Sequence, residues 1–88
     1  MLAVLSGTMD GDALSERLAA CEAAVIMKVG RNLAKIRQAL ARAGKLDRAV
    51  YVERGTMPEE RIIRLADKPG DDAAYFAVVL MPGQRKPL

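Results

Sequence analysis

Ala23-Ala-Val-Ile-Met-Lys-Val29, closed by Gly30, and Asn32-Leu-Ala-Lys-Ile-Arg-Gln-Ala-Leu-Ala-Arg-Ala43, closed by Gly44, are the two stretches whose pattern decides the fold. The first is almost continuously apolar and rich in β-branched side chains. That pattern fits a strand covered on both faces near the middle of a sheet. The second places Leu33, Ile36, Leu40 and Ala43 on one helical face at spacings of three and four. Arg31, Lys35, Gln38, Arg42 and Lys45 fall on the opposite face, which reads as solvated. Asn32 is suited to cap the amino end, and Gly44 stands where a left-handed residue closes a helix. A buried strand leading into an amphipathic helix is an α/β unit.

Working outward, Leu2-Ala-Val-Leu5 is a short apolar strand broken by Ser6-Gly-Thr8. Asp10 or Asp12 can cap a helix over 11–21, with Leu14, Leu18 and Cys21 inward and Glu16 and Arg17 outward. Residues 49–53 read as a third strand. Gly55-Thr-Met-Pro58 is a loop, because glycine permits unusual dihedrals and Pro58 constrains Met57. Residues 61–66 fit either a strand or a helical turn, and Lys68–Asp72 is an exposed loop. Tyr75–Met81 is a last strand, ended by Pro82-Gly83. The order β-α-β-α-β-β-β predicts an α/β fold with a mixed sheet of about five strands and two main helices. Residues 1–83 form one domain, and 84–88 are a polar tail.

Composition narrows the chemistry. At 88 residues the chain buries only about 60–65% of its unfolded surface, so its core has little margin. Aromatic residues are 3% of the chain, so that core is built from Leu, Val, Ile, Met and Ala. A net charge of +3 is too small to identify a nucleic-acid protein, and no aromatic platform accompanies the basic helix face. Nucleic acid is therefore not the expected partner. The sequence has no histidine and one cysteine, Cys21. This excludes histidine-based hydrolysis, the usual zinc sets and an internal disulfide within the chain. Cys21 reads as a small apolar residue. No apolar run approaches the length needed to cross a bilayer, and Met1–Thr8 lacks a basic region. The expected location is the cytoplasm, away from membranes.

Val25-Ile-Met-Lys-Val-Gly-Arg-Asn32, then Leu46-Asp-Arg-Ala-Val-Tyr-Val-Glu-Arg-Gly-Thr-Met57, then Tyr75-Phe-Ala-Val-Val-Leu-Met-Pro-Gly83 form an ordered set. It resembles the carboxy-terminal domain of the tetrapyrrole (corrin/porphyrin) methylases, most of all the branch that methylates precorrin-2 at C20 in cobalamin biosynthesis. Such enzymes have two α/β domains with S-adenosylmethionine in the cleft between them. The amino-terminal domain carries a Gly-x-Gly-x-Gly-Asp loop, which this sequence lacks: Gly7, Gly11 and Gly30 are isolated. About half of a family enzyme, and half of its cofactor site, is therefore expected to be absent.

By position, the resemblance implies that Met27 lies beside the cofactor and that Gly55 lies in the loop near the adenine, with Thr56 next to it. A glycine lets backbone approach a flat ring, and methionine is a polarisable, adaptable wall. The resemblance names no catalytic side chain and no metal ligand. Transfer of a sulfonium methyl to a ring carbon can rest on positioning. The implied acceptor is precorrin-2 or cobalt-precorrin-2. Three further expectations follow: the chain alone is inactive, it binds S-adenosylmethionine weakly or not at all, and it self-associates through the surface left bare. The competing expectation is a non-enzymatic self-associating or anion- or RNA-binding α/β module.

Overall fold

The computed structural model describes residues 2–54, 60–68, 70, 73 and 77–83. Five strands and two α-helices follow in the expected order: β1 (Leu2–Ser6), α1 (Gly11–Ala20), β2 (Ala23–Met27), α2 (Leu33–Arg42), β3 (Val50–Arg54), β4 (Glu60–Arg64) and β5 (Ala77–Met81). Short 3-10 turns at Gly30–Asn32, Leu46–Arg48 and Leu65–Asp67 join them. The ambiguous stretch 61–66 is therefore strand first and helical turn second.

The strands form one mixed sheet in the order β1-β2-β5-β3-β4. β1 and β2 are parallel, with Val4 beside Val25 and Ser6 beside Met27. The last strand, β5, inserts between β2 and β3 and runs antiparallel to both. β2 and β3 thus point the same way, and both helical crossovers step across the sheet in one direction. Because such crossovers are right-handed, both helices land on the same face, where they pack against each other.

The core lies between that helical layer and one face of the sheet. Leu14 and Leu18 of α1 and Leu33, Ile36, Ala39 and Leu40 of α2 meet Leu5, Ala24, Ile26, Tyr51, Val79 and Met81. The period-two alternation of each strand sends its other residues to the opposite face. That face has no covering layer among the described residues. Leu2 is 61% exposed, Val4 68%, Met27 50% and Ile62 59%. The sequence led us to expect β2 to be covered on both faces; it is interior to the sheet but has helices on one side only.

The caps follow local chemistry. Asp10 begins α1, its carboxylate accepting from the Asp12 amide at 3.1 Å. Gly44 closes α2 with a φ of 74°. Asn32 departs from expectation: its side chain makes no capping bond to the helix but donates to the Lys28 carbonyl at 3.0 Å. The turn Gly30–Asn32 already winds helically, so α2 needs no cap at Asn32.

Candidate functional site

A parallel strand pair directs its ligands to the loops beyond its carboxyl ends. In β1 and β2 those ends are adjacent because Ser6 pairs with Met27. After β1, Thr8 folds back: its amide donates to Ser6 Oγ at 3.2 Å, the two hydroxyls lie 2.7 Å apart, and the Met9 amide donates to the Ser6 carbonyl at 3.1 Å. After β2, Lys28 takes a φ of 57°, a left-handed conformation costing a residue with a Cβ of order 1–2 kcal/mol. The neighbours impose it. Met27's carbonyl accepts from the Gly7 amide at 2.7 Å, and Lys28's carbonyl accepts from Asn32 Nδ2.

The two loops enclose an open pocket of about 630 Å³, lined by Thr8, Lys28, Gly30, Arg31, Asn32 and Ala73. Its described lining includes two cations and no carboxylate. Gly7 is buried beneath it. A Cβ at this position would stand 2.6 Å from the Lys28 carbonyl oxygen and 3.0 Å from Ile36 Cδ1. The loops approach this closely only because the residue is glycine.

Met27 lies at the last position of β2, half-exposed on the sheet face away from the helices. It adjoins Lys28 in the chain but does not line the pocket. Gly55 and Thr56 lie outside the described residues. Glu53, whose neighbour Arg54 shares the end of β3, accepts from the buried Tyr51 hydroxyl at 2.6 Å.

The basic stripe read as one solvated face divides into separate roles. Arg42 pairs with Asp12 at 2.9 Å, both largely exposed. Lys45 turns back onto α1, its Nζ donating to the Leu18 and Cys21 carbonyls at 2.6 Å and to Ala19 at 3.3 Å. It thereby satisfies carbonyls that the end of a helix leaves free. Arg31 faces the pocket with Lys28. A lysine directly after an apolar strand was the signal available in the sequence; the tertiary fold alone brings Arg31 beside it. Among the described residues there is no cluster of His, Cys, Asp or Glu suited to a metal ion. No helix among them is long and apolar enough to cross a membrane.

Comparison with known proteins follows the same outline. The profile of the tetrapyrrole (corrin/porphyrin) methylases matches residues 1–68. The chain is 61% identical over 83 residues to the precorrin-2 C(20)-methyltransferase of Sinorhizobium sp, covering 94% of this chain and 34% of that protein. It is 33% identical over 85 residues to the cobalt-precorrin-2 C(20)-methyltransferase of Salmonella typhimurium, covering 94% and 36%. The chain therefore spans about a third of the length of these curated relatives (34% and 36%), less than the half expected. In fold it is similar to the uroporphyrin-III C-methyl transferase of Thermus thermophilus complexed with S-adenyl homocysteine. The TM-score is 0.64 at 23% identity, over 93% of this chain and 40% of that one.

Proposed function

This chain belongs to the tetrapyrrole (corrin/porphyrin) methylases, and from that membership we propose that it forms the carboxy-terminal part of a cytoplasmic precorrin-2 C20-methyltransferase. The observation that carries the proposal is the 61% identity across 83 residues to a precorrin-2 C(20)-methyltransferase. Identity falls to 33% for the cobalt-precorrin-2 enzyme, which favours the metal-free acceptor. Residues 1–83 act as one methylase-type domain, and 84–88 as its tail.

The cofactor is S-adenosylmethionine, which when bound supplies an electrophilic sulfonium methyl group. Met27, Gly55 and Thr56 are assigned to one wall of its site by the family resemblance. Met27 keeps a half-exposed thioether at a strand end, where it can pack on the cofactor without displacing core atoms. Gly55 is assigned to the loop near the adenine and Thr56 beside it, on the resemblance of Tyr51–Met57. The work of these residues is positioning. They hold donor and acceptor in line and exclude water, which can supply much of the acceleration in a displacement reaction.

The rest of the cofactor site is assigned to an amino-terminal domain outside this sequence. Alone, the chain transfers no methyl group and binds S-adenosylmethionine weakly or not at all. The test is methyl transfer to precorrin-2 and to cobalt-precorrin-2, by the chain alone and mixed with the amino-terminal part of the Sinorhizobium relative. Activity only in the mixture, and with precorrin-2, is the expected result. Activity in neither case counts against the proposal, as does submicromolar S-adenosylmethionine binding by the chain alone.

The uncovered sheet face is assigned to self-association. It runs from Leu2 and Val4 on one edge strand to Ile62 on the other, by way of the half-buried Val25, Leu80 and Val52. Its described centre carries no charge, so a second copy meets it without like-charge repulsion.

A further inference from the structure

The pocket beyond β1 and β2 carries positive charge that no carboxylate among its described lining residues answers. Lys28 and Arg31 face it, Thr8 and Asn32 are neutral, and Gly30 and Ala73 complete it. Neither cation has an ion-pair partner among the described residues. Elsewhere Arg42 pairs with Asp12, Arg64 with Asp67, and Lys45 is held by helix carbonyls. Bonds to the Lys28 carbonyl and to the one before it accompany a left-handed backbone at Lys28. A strained non-glycine residue that its neighbours over-determine is characteristic of ligand sites.

The surrounding amides narrow the ligand. A phosphate cradle needs free backbone N–H groups. Here Gly7 donates to Met27, Thr8 to Ser6 Oγ, Met9 to Ser6 and Asn32 to Val29. The charged groups in the lining are the planar fork of an arginine and the point charge of a lysine, a combination suited to a carboxylate.

We propose that Lys28 and Arg31 form a carboxylate-binding site at the carboxyl end of β2. The proposal rests on the methylase reading for the source of the carboxylate. That source is an acidic substituent of the tetrapyrrole, or the amino-acid carboxylate of the cofactor.

The experiment titrates the 88-residue chain alone with uroporphyrin, followed by fluorescence. It titrates the chain mixed with the amino-terminal part of the Sinorhizobium relative with S-adenosylhomocysteine, followed by calorimetry. Four single variants are compared: Lys28→Asn and Arg31→Gln in the pocket, Arg17→Gln and Arg64→Gln away from it. Asparagine tolerates the left-handed backbone, so Lys28→Asn removes the charge while keeping the turn. The expected result is that each pocket variant weakens uroporphyrin binding by roughly fivefold or more, while the two controls stay within roughly twofold. A loss confined to S-adenosylhomocysteine keeps the site and assigns it to the cofactor. Equal losses in all four variants overturn the proposal, as does failure of the unaltered chain to bind either probe. Neither probe accepts a methyl group, so failure of the transfer assay and failure of this site are separate outcomes.

Discussion

The amide of Gly7 donates to the carbonyl of Met27 across 2.7 Å, tying the turn after β1 to the carboxyl end of β2. The bond joins the two loops directly before Lys28, whose backbone is left-handed. The room it needs comes from the missing side chain of Gly7.

Gly7→Ala should destabilise the chain. Its Cβ would meet the Lys28 carbonyl oxygen at 2.6 Å, a backbone atom that moves only with the loop. Overpacking of this kind costs about 1–3 kcal/mol. Gly11→Ala is the control. Its nearest neighbour is Lys35 Cγ at 3.6 Å, an ordinary contact, and it opens α1. There alanine should be neutral or stabilising by up to about 1 kcal/mol. Urea unfolding of both variants checks the opposite signs.

Lys45→Met should cost more than Arg42→Gln, although both lie on the same helix flank. Lys45 serves the Leu18 and Cys21 carbonyls at 2.6 Å; losing a charged donor to a helix end costs about 1–2 kcal/mol. The Arg42–Asp12 pair is exposed on both sides, and such pairs contribute at most about 1 kcal/mol. Thermal unfolding at low and high salt separates the two, since only the Arg42 effect should fade with salt.

The two faces of the sheet should respond differently to the same change. Ile26→Ala opens a cavity at a fully buried site and should cost about 2–5 kcal/mol. Ile62→Ala, at 59% exposure, should stay near 0.5 kcal/mol. Light scattering completes the comparison. Val4→Lys with Ile62→Lys should dissociate an oligomer built on the open face without unfolding the chain. A monomer before substitution removes that surface from consideration.

Met27→Leu and Met27→Ala test the cofactor wall in the reconstituted two-part enzyme. Leucine preserves most of the apolar contact, whereas alanine removes surface worth about 1–2 kcal/mol. S-adenosylhomocysteine affinity should therefore fall roughly five- to thirtyfold for alanine and little for leucine. Equal affinities in all three proteins would remove Met27 from the site.

Much of this fold was legible because its elements are locally consistent. Leu33, Ile36 and Leu40 are buried as their spacing predicts, and Gly44 has the positive φ of a helix terminator. Residues 61–66 were ambiguous because alternation and helical period both fit them. The pairing of Ile63 with Tyr51 decides for a strand, and that partner lies on another element. Met27 and Gly55 drew attention through resemblance. Lys28 entered only as part of the strand-end Met-Lys motif, and Arg31 as one of a basic stripe read as solvated; that the two line one pocket depends on the tertiary fold.

By itself, the sequence determined the order of elements, the apolar face of each helix and the family, since these depend on periodicity, turn chemistry and ordered motifs along the chain. Only the tertiary structure decided that β5 enters between β2 and β3, that both helices share one face, and that the basic stripe divides among an ion pair, a helix cap and a pocket. The physical reason is distance along the chain. Strand insertion, helix sidedness and the company a cation keeps are set by contacts between residues far apart in sequence, and local pattern carries no record of them.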